Sequence, residues 1–375
     1  MNFDFADDQK MLKEQAHKFL SEKCTTKTVR AAYESGAGYD AGLWKAIGEL
    51  GWTGTSIPEQ FGGLGLGYLE LCVIAEELGR ALAPVPFSST VYLFAEAILA
   101  AGSDEQKQRL LPKIASGELI GCFARAEGPG AILPKNIRAS FRNGKLSGKK
   151  TPVADGGIAD YAVVLARSSD EAGERGLQLV LVDLKQSGVK RRNVETVDPS
   201  RGHAELTFEN ANAEALGKAG EAWGIVSRVL DRAAVLMAFE QVGGADMCLK
   251  MAKAYAMERY AFGRPIASFQ AIKHKLADMY VNTELARSNS YYGAWALSTG
   301  ARELPLAAAA ARISATQAFD YAAKENIQTH GGIGFTWEAD VHFYYKRARQ
   351  LSLALGPIRL WKDRLVTELE LSNAA

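Results

Sequence analysis

Residues 255–279 read YAMERYAFGRPIASFQAIKHKLADM and join two long helical patterns. Arg259 carries a permanent positive charge on a planar fork, a geometry that suits a pyrophosphate. Phe262 and Gly263 are predicted to end the first helix and to let the backbone come close to a ligand. Gln270 can offer its amide to a nucleotide. The stretch therefore indicates both a helix boundary and a candidate nucleotide contact.

A second glycine-bearing stretch, QTHGGIGF, occupies residues 328–335. Gln328 can offer another amide to a nucleotide, and Gly331 and Gly332 permit a close approach to a phosphate or an adenosine. Taken singly, these residues have simpler explanations: Arg259 could be a surface salt-bridge partner, and the glycines could merely end a helix. The functional interpretation therefore depends on both stretches together.

Helical patterns surround the two stretches. Apolar residues recur at helical spacing along Trp223–Tyr260, where Gly243-Gly244 is tolerable if another backbone packs closely. Three more helices are predicted after it, at about 270–299, 305–330 and 338–370. The N-terminal third also reads as helical, with segments at Asp7–Phe19, Leu43–Leu50, Leu69–Leu82, Val91–Ala101 and Asp104–Ile114.

The middle of the chain has a different pattern. Short β-branched or alternating runs predict strands at Tyr161–Ala166, Leu177–Leu184 and Ala204–Phe208. Asn143-Gly144 and Asp155-Gly156-Gly157 are turn signals. We therefore predict an α+β fold with an N-terminal helical domain (residues 1–120), a middle β-domain (121–217) and a C-terminal four-helix bundle domain (218–375).

Composition limits the functional classes. Of the 375 residues, 47% are hydrophobic and the net charge is +1, so neither nucleic acid nor a membrane surface is an expected partner. The four cysteines lack paired spacing and are expected to be buried thiols in a reducing cytosol, and the five histidines show no metal-binding spacing. The N-terminus has no signal-peptide pattern, so we predict a cytoplasmic protein without a metal site.

The stretches 255–279 and 328–335 closely resemble the C-terminal signatures of acyl-CoA dehydrogenases. PEQFGGLGLG at 58–67 and LLPKIASGE at 110–118 resemble the N-terminal half of the same family, so the resemblance covers essentially the whole chain. It implies FAD as the cofactor and an acyl-CoA thioester as the substrate. In the family, a carboxylate removes a proton from Cα while a hydride passes from Cβ to the flavin. The resemblance further implies that six residues contact the FAD of a neighbouring subunit: Arg259, Phe262, Gln270, Gln328, Gly331 and Gly332.

The catalytic carboxylate of the family is missing from both of its usual positions. Leu355 stands where many members have glutamate near the C-terminus, and Ala233 occupies the alternative position on the long helix. Glu240 is a weak candidate for a displaced base, because it lies two turns after Ala233, at roughly 10 Å of helical rise. No usual position therefore supplies a general base.

The groups that would bind the chain's own flavin are also altered. In Phe123–Gly130, Ala126 replaces a family threonine, and Glu127 is expected to orient backbone rather than to catalyse. The family's Trp-Ile-Thr becomes Pro152-Val153-Ala154, so a stacking surface and a hydroxyl are lost. The groups that reach a partner's FAD remain, whereas those that serve the chain's own site are missing.

This asymmetry predicts a subunit that completes the flavin site of a second acyl-CoA dehydrogenase subunit in an α2β2 assembly. Residues 76–86 and 334–348 look more like the branch that acts on steroid side chains than like straight-chain enzymes, and the family implies electron-transfer flavoprotein as the acceptor. Two alternatives stay open. The chain could be a self-sufficient homotetrameric enzyme with a displaced base such as Glu240, or a non-enzymatic acyl-CoA-binding or structural partner.

Overall fold

The computed structural model describes residues 5–374, and the side chains of residues 5–372. The chain forms two compact units, and each unit is built from segments that are not consecutive in the sequence. The helical unit contains the chain up to Val29, Tyr68–Ala83 and everything from Ala234 onward. The sheet unit contains Arg30–Gly67 and Pro84–Ala233. The three domains expected from the sequence, with their two boundaries, stay a prediction.

The N-terminal helices begin at recognisable caps. Asp40 precedes α3, and its carboxylate accepts a hydrogen bond from the Leu43 N–H, while Ser103 and Gln106 form a capping box at α6. The helix predicted at Val91–Ala101 is a π-helix over Ser88–Ala95 followed by α5. The six α-helices are α1 (Asp7–Lys23), α2 (Thr26–Ser35), α3 (Ala41–Glu49), α4 (Tyr68–Arg80), α5 (Glu96–Ala101) and α6 (Asp104–Ala115).

An eight-stranded sheet follows, in the sheet unit. Its strands are β1 (Gly121–Ala124), β2 (Ser140–Arg142), β3 (Lys145–Ala154), β4 (Tyr161–Arg167), β5 (Leu177–Asp183), β6 (Val189–Val194), β7 (His203–Asn212) and β8 (Glu214–Leu216). The order is β6-β7-β3-β2-β4-β5-β8, with β1 parallel to β4. Strands β4 and β5 are almost wholly buried, as their β-branched composition indicates.

The described residues after the sheet form five further α-helices: α7 (Ala222–Glu258), α8 (Gln270–Thr299), α9 (Leu304–His330), α10 (Val341–Ala354) and α11 (Ile358–Ala374). The single helix predicted at 338–370 is therefore wrong. Gly356 adopts φ +104°, and Pro357 cannot donate a backbone hydrogen bond, so the helix is interrupted between α10 and α11. Predicted helices at 270–299 and 305–330 agree with α8 and α9.

Helices α4 and α7 cross at backbone contact. A Cβ atom on Gly79 would lie 1.8 Å from the carbonyl oxygen of Glu240, and a Cβ atom on Gly243 would lie 1.9 Å from that of Glu76. Both values are far below a van der Waals separation, so only glycine fits at either position. The close backbone approach expected at Gly243-Gly244 is confirmed at Gly243, whereas Gly244 faces the Phe319 ring.

The remaining sequence expectations concern thiols and membrane spans. All four cysteines are buried and none forms a disulfide. No helix in the described residues is long and apolar enough to cross a membrane.

Candidate functional site

The first signature stretch forms a β-hairpin rather than a simple helix end. Helix α7 stops at Glu258, and strands β9 (Tyr260–Ala261) and β10 (Arg264–Pro265) pair antiparallel. Phe262 and Gly263 form the two-residue turn, with φ +53° and +77°. The prediction that these two residues end the helix is wrong, because the turn lies four residues beyond the last helical residue. The hairpin instead projects the Phe262 ring, which is 96% exposed.

Arg259 lies at the base of this hairpin and is exposed. Its backbone is fixed on both sides, because its N–H donates to Tyr255 and its carbonyl accepts from the Ile266 N–H. Within the described part of the chain, no carboxylate pairs with its guanidinium. A surface salt bridge therefore does not explain this arginine, and its charge is available to an external anion. Gln270, also exposed, is the first residue of α8.

The second signature stretch lies beside the hairpin. The His330 ring stacks on Tyr255 with centroids 4.2 Å apart, and its Nδ1 lies 2.8 Å from the Asn326 carbonyl oxygen. This contact brings the end of α9 next to the last turn of α7. Gln328 is exposed in the last turn of α9. The structure therefore places both signature stretches at one end of the helical unit.

The backbone conformation requires glycine at position 331 but not at position 332. Gly331 ends α9 with φ +59° and ψ −139°, a conformation that side chains oppose. Gly332 needs no positive φ, and a Cβ atom there would meet nothing within 4 Å. The fold of the described chain therefore gives no reason for glycine at position 332. The backbone at Gly332 is therefore open to close approach from outside.

Buried aliphatic side chains occupy both positions at which the family resemblance implies a catalytic base. Ala233 is 0% exposed and Leu355 is 1% exposed, each within its own unit. Neither side chain can carry a proton. Leu355 immediately follows α10, at the break before Pro357.

Glu240 is buried among cations rather than poised over open space. Its Oε1 lies 4.0 Å from a guanidinium nitrogen of Arg347, and both side chains are 1% exposed. Arg312, equally buried, donates to the Gln241 side chain and to the Leu351 carbonyl. Burial lowers the pKa of Arg312 to about 10, although the Glu240 carboxylate opposes the shift. Glu240 therefore has the surroundings of a counter-ion.

In the sheet unit, the two altered flavin segments come together. The Thr151 N–H donates to the Ala126 carbonyl, and the Gly128 N–H donates to the Thr151 carbonyl, both at 2.9 Å. Ala126 therefore lies next to the strand that carries Ala154.

Glu127 organises this loop, as expected. Its carboxylate accepts backbone N–H groups from Arg138 and Ala139 and pairs with Lys150 at 2.7 Å. Burial raises the pKa of Glu127, but the Lys150 ammonium and the two N–H groups outweigh burial, so the pKa lies below its usual range. Burial lowers the pKa of Lys150 to about 8, with Glu127 acting in the opposite direction. The sequence did not indicate that Lys150, Arg312 and Arg347 are buried, since lysine and arginine normally face water.

Among the described residues, no group of three or more His, Cys, Asp or Glu side chains could hold a metal ion.

The fold and these signatures match one family along the chain. The acyl-CoA dehydrogenase N-terminal domain matches residues 6–118, the middle domain matches 133–211 and the C-terminal domain matches 220–364. Acyl-CoA dehydrogenase IpdE2 of Mycobacterium tuberculosis is 32% identical over 97% of this chain and 98% of its own length. The chain therefore belongs to the acyl-CoA dehydrogenase family.

Solved structures support the same assignment. A variant of the Tcur3481-Tcur3483 steroid ACAD superposes with a TM-score of 0.88 and 31% identity, over 98% of this chain and 99% of that one. The ChsE4-ChsE5 complex from Mycobacterium tuberculosis gives a TM-score of 0.88 and 26% identity, over 99% of both chains. Butyryl-CoA dehydrogenase from Megasphaera elsdenii gives 0.92 and 25% identity, over 98% of this chain and 100% of that one.

Proposed function

We propose that this chain is a base-less subunit of a heteromeric acyl-CoA dehydrogenase, and that it completes the FAD site of a second, base-bearing subunit. One observation carries the proposal. Of the six residues that the family uses across a subunit interface, five are exposed and Gly331 is half-buried, in stretches that meet at one end of the helical unit, whereas Ala233 and Leu355 fill the base positions with buried aliphatic groups.

The exposed residues fit the phosphate and adenosine parts of FAD. Arg259 offers a guanidinium that no described carboxylate neutralises, and Gly332 leaves room that a Cβ would otherwise fill. Gln270 and Gln328 add amides that can donate or accept hydrogen bonds. When bound, FAD supplies the hydride acceptor, and this chain would hold its nucleotide part rather than act on the substrate.

The reaction is α,β-desaturation of an acyl-CoA thioester. The partner subunit would supply the carboxylate that removes the Cα proton, because this chain has none at either usual position. We further propose an α2β2 assembly, electron-transfer flavoprotein as electron acceptor and a cytoplasmic location. Two of the structures similar to this chain are named as a steroid ACAD and as a ChsE4-ChsE5 complex, which supports a second subunit and a steroid side-chain substrate.

The flavin content of the purified protein tests the proposal. We expect the chain alone to be colourless and the chain co-expressed with its partner to be yellow, with about half a flavin per polypeptide by absorbance near 450 nm (an approximate flavin band). A yellow homotetramer with one flavin per chain that oxidises an acyl-CoA would refute the proposal.

Gly332→Ala separates a flavin role from a folding role. Since the described chain leaves a Cβ at 332 unopposed, the melting temperature of the isolated chain should stay the same, while FAD in the complex should fall. Arg259→Ala should lower FAD content for an electrostatic reason. Unchanged FAD in both variants would favour the non-enzymatic partner instead.

A further inference from the structure

A cavity of about 580 Å³ opens beside the second signature stretch, at the end of α9 and the start of α10. Its apolar wall comes from Ile327, Phe335, Trp337 and Tyr345, and Lys324 and Lys346 lie at its edge. The volume is large enough for a bulky side chain or a small ligand. None of the flavin residues except Gln328 lines it.

The surface around the cavity is unusually apolar for a protein in water. Ile333 is 54% exposed, Phe335 75% and Trp337 44%, and they lie within five residues of one another. On the adjacent hairpin, Tyr260 is 63% exposed and Phe262 is 96% exposed. At about 200 Å² for each large side chain, this surface leaves on the order of 600 Å² of apolar area in solvent. Patches of that size usually mark an interaction site.

The charges at the cavity edge favour an acidic neighbour. The Lys346 ammonium lies 5.0 Å from the Trp337 ring centroid, and Lys324 is exposed. The one lining carboxylate, Glu325, already pairs with Lys275 at 2.6 Å. The edge therefore carries a net positive charge, which complements a carboxylate beside an apolar group.

We propose that this cavity receives an apolar or aromatic side chain, flanked by a carboxylate, from the flavin-bearing partner subunit. The inference depends on the proposed function, because Phe335 and Trp337 continue the segment that starts with Gly331 and Gly332. A surface that brings Gly332 to the partner's flavin also brings the cavity to the partner's protein. The cavity is thus the assembly anchor, and the flavin residues next to it have a separate task.

Trp337→Glu tests the anchor by placing a negative charge in the apolar wall. The partner's affinity, measured by titrating labelled chain with the partner subunit, should fall about 30-fold, the effect of losing an interface hot spot. Lys346→Glu should weaken the complex in the same direction. Met11→Glu is the matched control, because Met11 is 55% exposed on α1, outside the cavity lining. The melting temperature of each isolated variant should equal that of the wild type.

The outcomes separate this proposal from the flavin role. Arg259→Ala should lower the FAD content of the complex but leave its affinity for the partner subunit within about twofold of wild type. Trp337→Glu should lower the affinity for the partner subunit, but a complex formed at a saturating concentration of that subunit should contain the normal amount of FAD. Normal partner affinity in Trp337→Glu would overturn the anchor, even if the complex is yellow. Loss of a homo-oligomer of this chain, with heteromeric affinity retained, would overturn it too. Weakened association in a complex that never binds flavin would retain the anchor and refute the flavin role.

Discussion

A general base must meet a substrate carbon, whereas Glu240 meets guanidinium groups. Arg347 and Arg312 are both buried, so the Glu240 carboxylate offsets two cations that would otherwise stand in an apolar core. Removing one member of such a group leaves a buried charge without compensation. The surroundings of Glu240 thus explain its presence without catalysis.

We therefore expect Glu240→Gln to lower the free energy of unfolding by about 3 kcal/mol. Turnover of the flavin-loaded complex should be unaffected, because the base would lie on the partner. Glu258→Gln, at an exposed position, is the control and should change neither quantity. A stable Glu240→Gln protein with abolished turnover would instead identify Glu240 as the displaced base of a self-sufficient enzyme.

Glu127 provides a pH-dependent test in the sheet unit. Because its pKa in the folded protein is below the ordinary 4.5, it contributes stability that is present above about pH 4.5 and is lost as the pH falls through the folded-state pKa. Glu127→Gln should thus cost about 3 kcal/mol at pH 7, where Lys150 is left buried and unpaired. The difference from wild type should shrink in acid, as followed by denaturant unfolding at several pH values.

The control for that series is Glu209→Gln. Glu209 on β7 pairs with Lys190 on β6, and the two side chains are 54% and 69% exposed, respectively. Such surface pairs contribute little, so the unfolding free energy should change by less than about 0.5 kcal/mol at every pH. An equal loss in both variants would mean that the buried position of Lys150 has no special effect.

For single residues, the sequence suggested which side chains could act at a site, but it did not predict what surrounds each side chain in the fold. The long signature stretches predict Arg259, Gln328 and Gly332 as flavin contacts, and these stay predictions, whereas the orienting role expected for Glu127 agrees with its bonds to two backbone N–H groups. The sequence could not show that Lys150 and Arg312 are buried, since burial of a charge depends on neighbours that are distant in the chain. For Glu240 the arginine 107 positions later decides the environment, and helical periodicity carries no such information.

Among the helices, the contact between α4 and α7 is the most sensitive to substitution. Gly79→Ala places a methyl group 1.8 Å from a carbonyl oxygen on the facing helix, so the two backbones must separate. We expect a loss of at least about 2 kcal/mol in unfolding free energy, as for overpacked cores. Gly224→Ala, on the same α7, meets only an Arg228 nitrogen at 3.7 Å and should stabilise by up to about 1 kcal/mol. Equal effects would contradict the backbone contact.

Helix boundaries were predictable where caps or breakers act locally, and less so elsewhere. The Gly356-Pro357 pair carries a clear break signal, which the apolar periodicity on either side obscured. The π-helix at Ser88–Ala95 has no sequence signature, because its hydrogen-bond spacing differs from α-helix only through tertiary packing. The turn at Phe262-Gly263 lacks the Asn-Gly pattern of such hairpins, so it read as a helix end.

At the scale of the whole molecule, the reactivity of the four cysteine thiols measures how well the fold excludes solvent around each of them. Burial raises the pKa of Cys72, Cys122 and Cys248, and Cys24 is 5% exposed. Because the thiolate is the reactive form, an aromatic disulfide reagent at pH 8 should label none of the four in the native chain within minutes. All four should react once guanidinium unfolds the protein. Ser288→Cys, at an exposed position of α8, provides the positive control. Rapid native labelling of any natural cysteine would show that its region opens locally.

The exposed Phe262 ring also matters before any partner arrives. In a newly made chain, Phe262, Phe335 and the side chains near them are exposed to solvent. Exposed apolar surface of this kind is bound by chaperones and leads to degradation by proteases. Under the proposed heteromeric assembly, a cell that makes this polypeptide without the partner subunit should therefore degrade or aggregate the excess. The amount of the chain would then follow the supply of its counterpart, so the hairpin tip would act as a check on production as well as a contact.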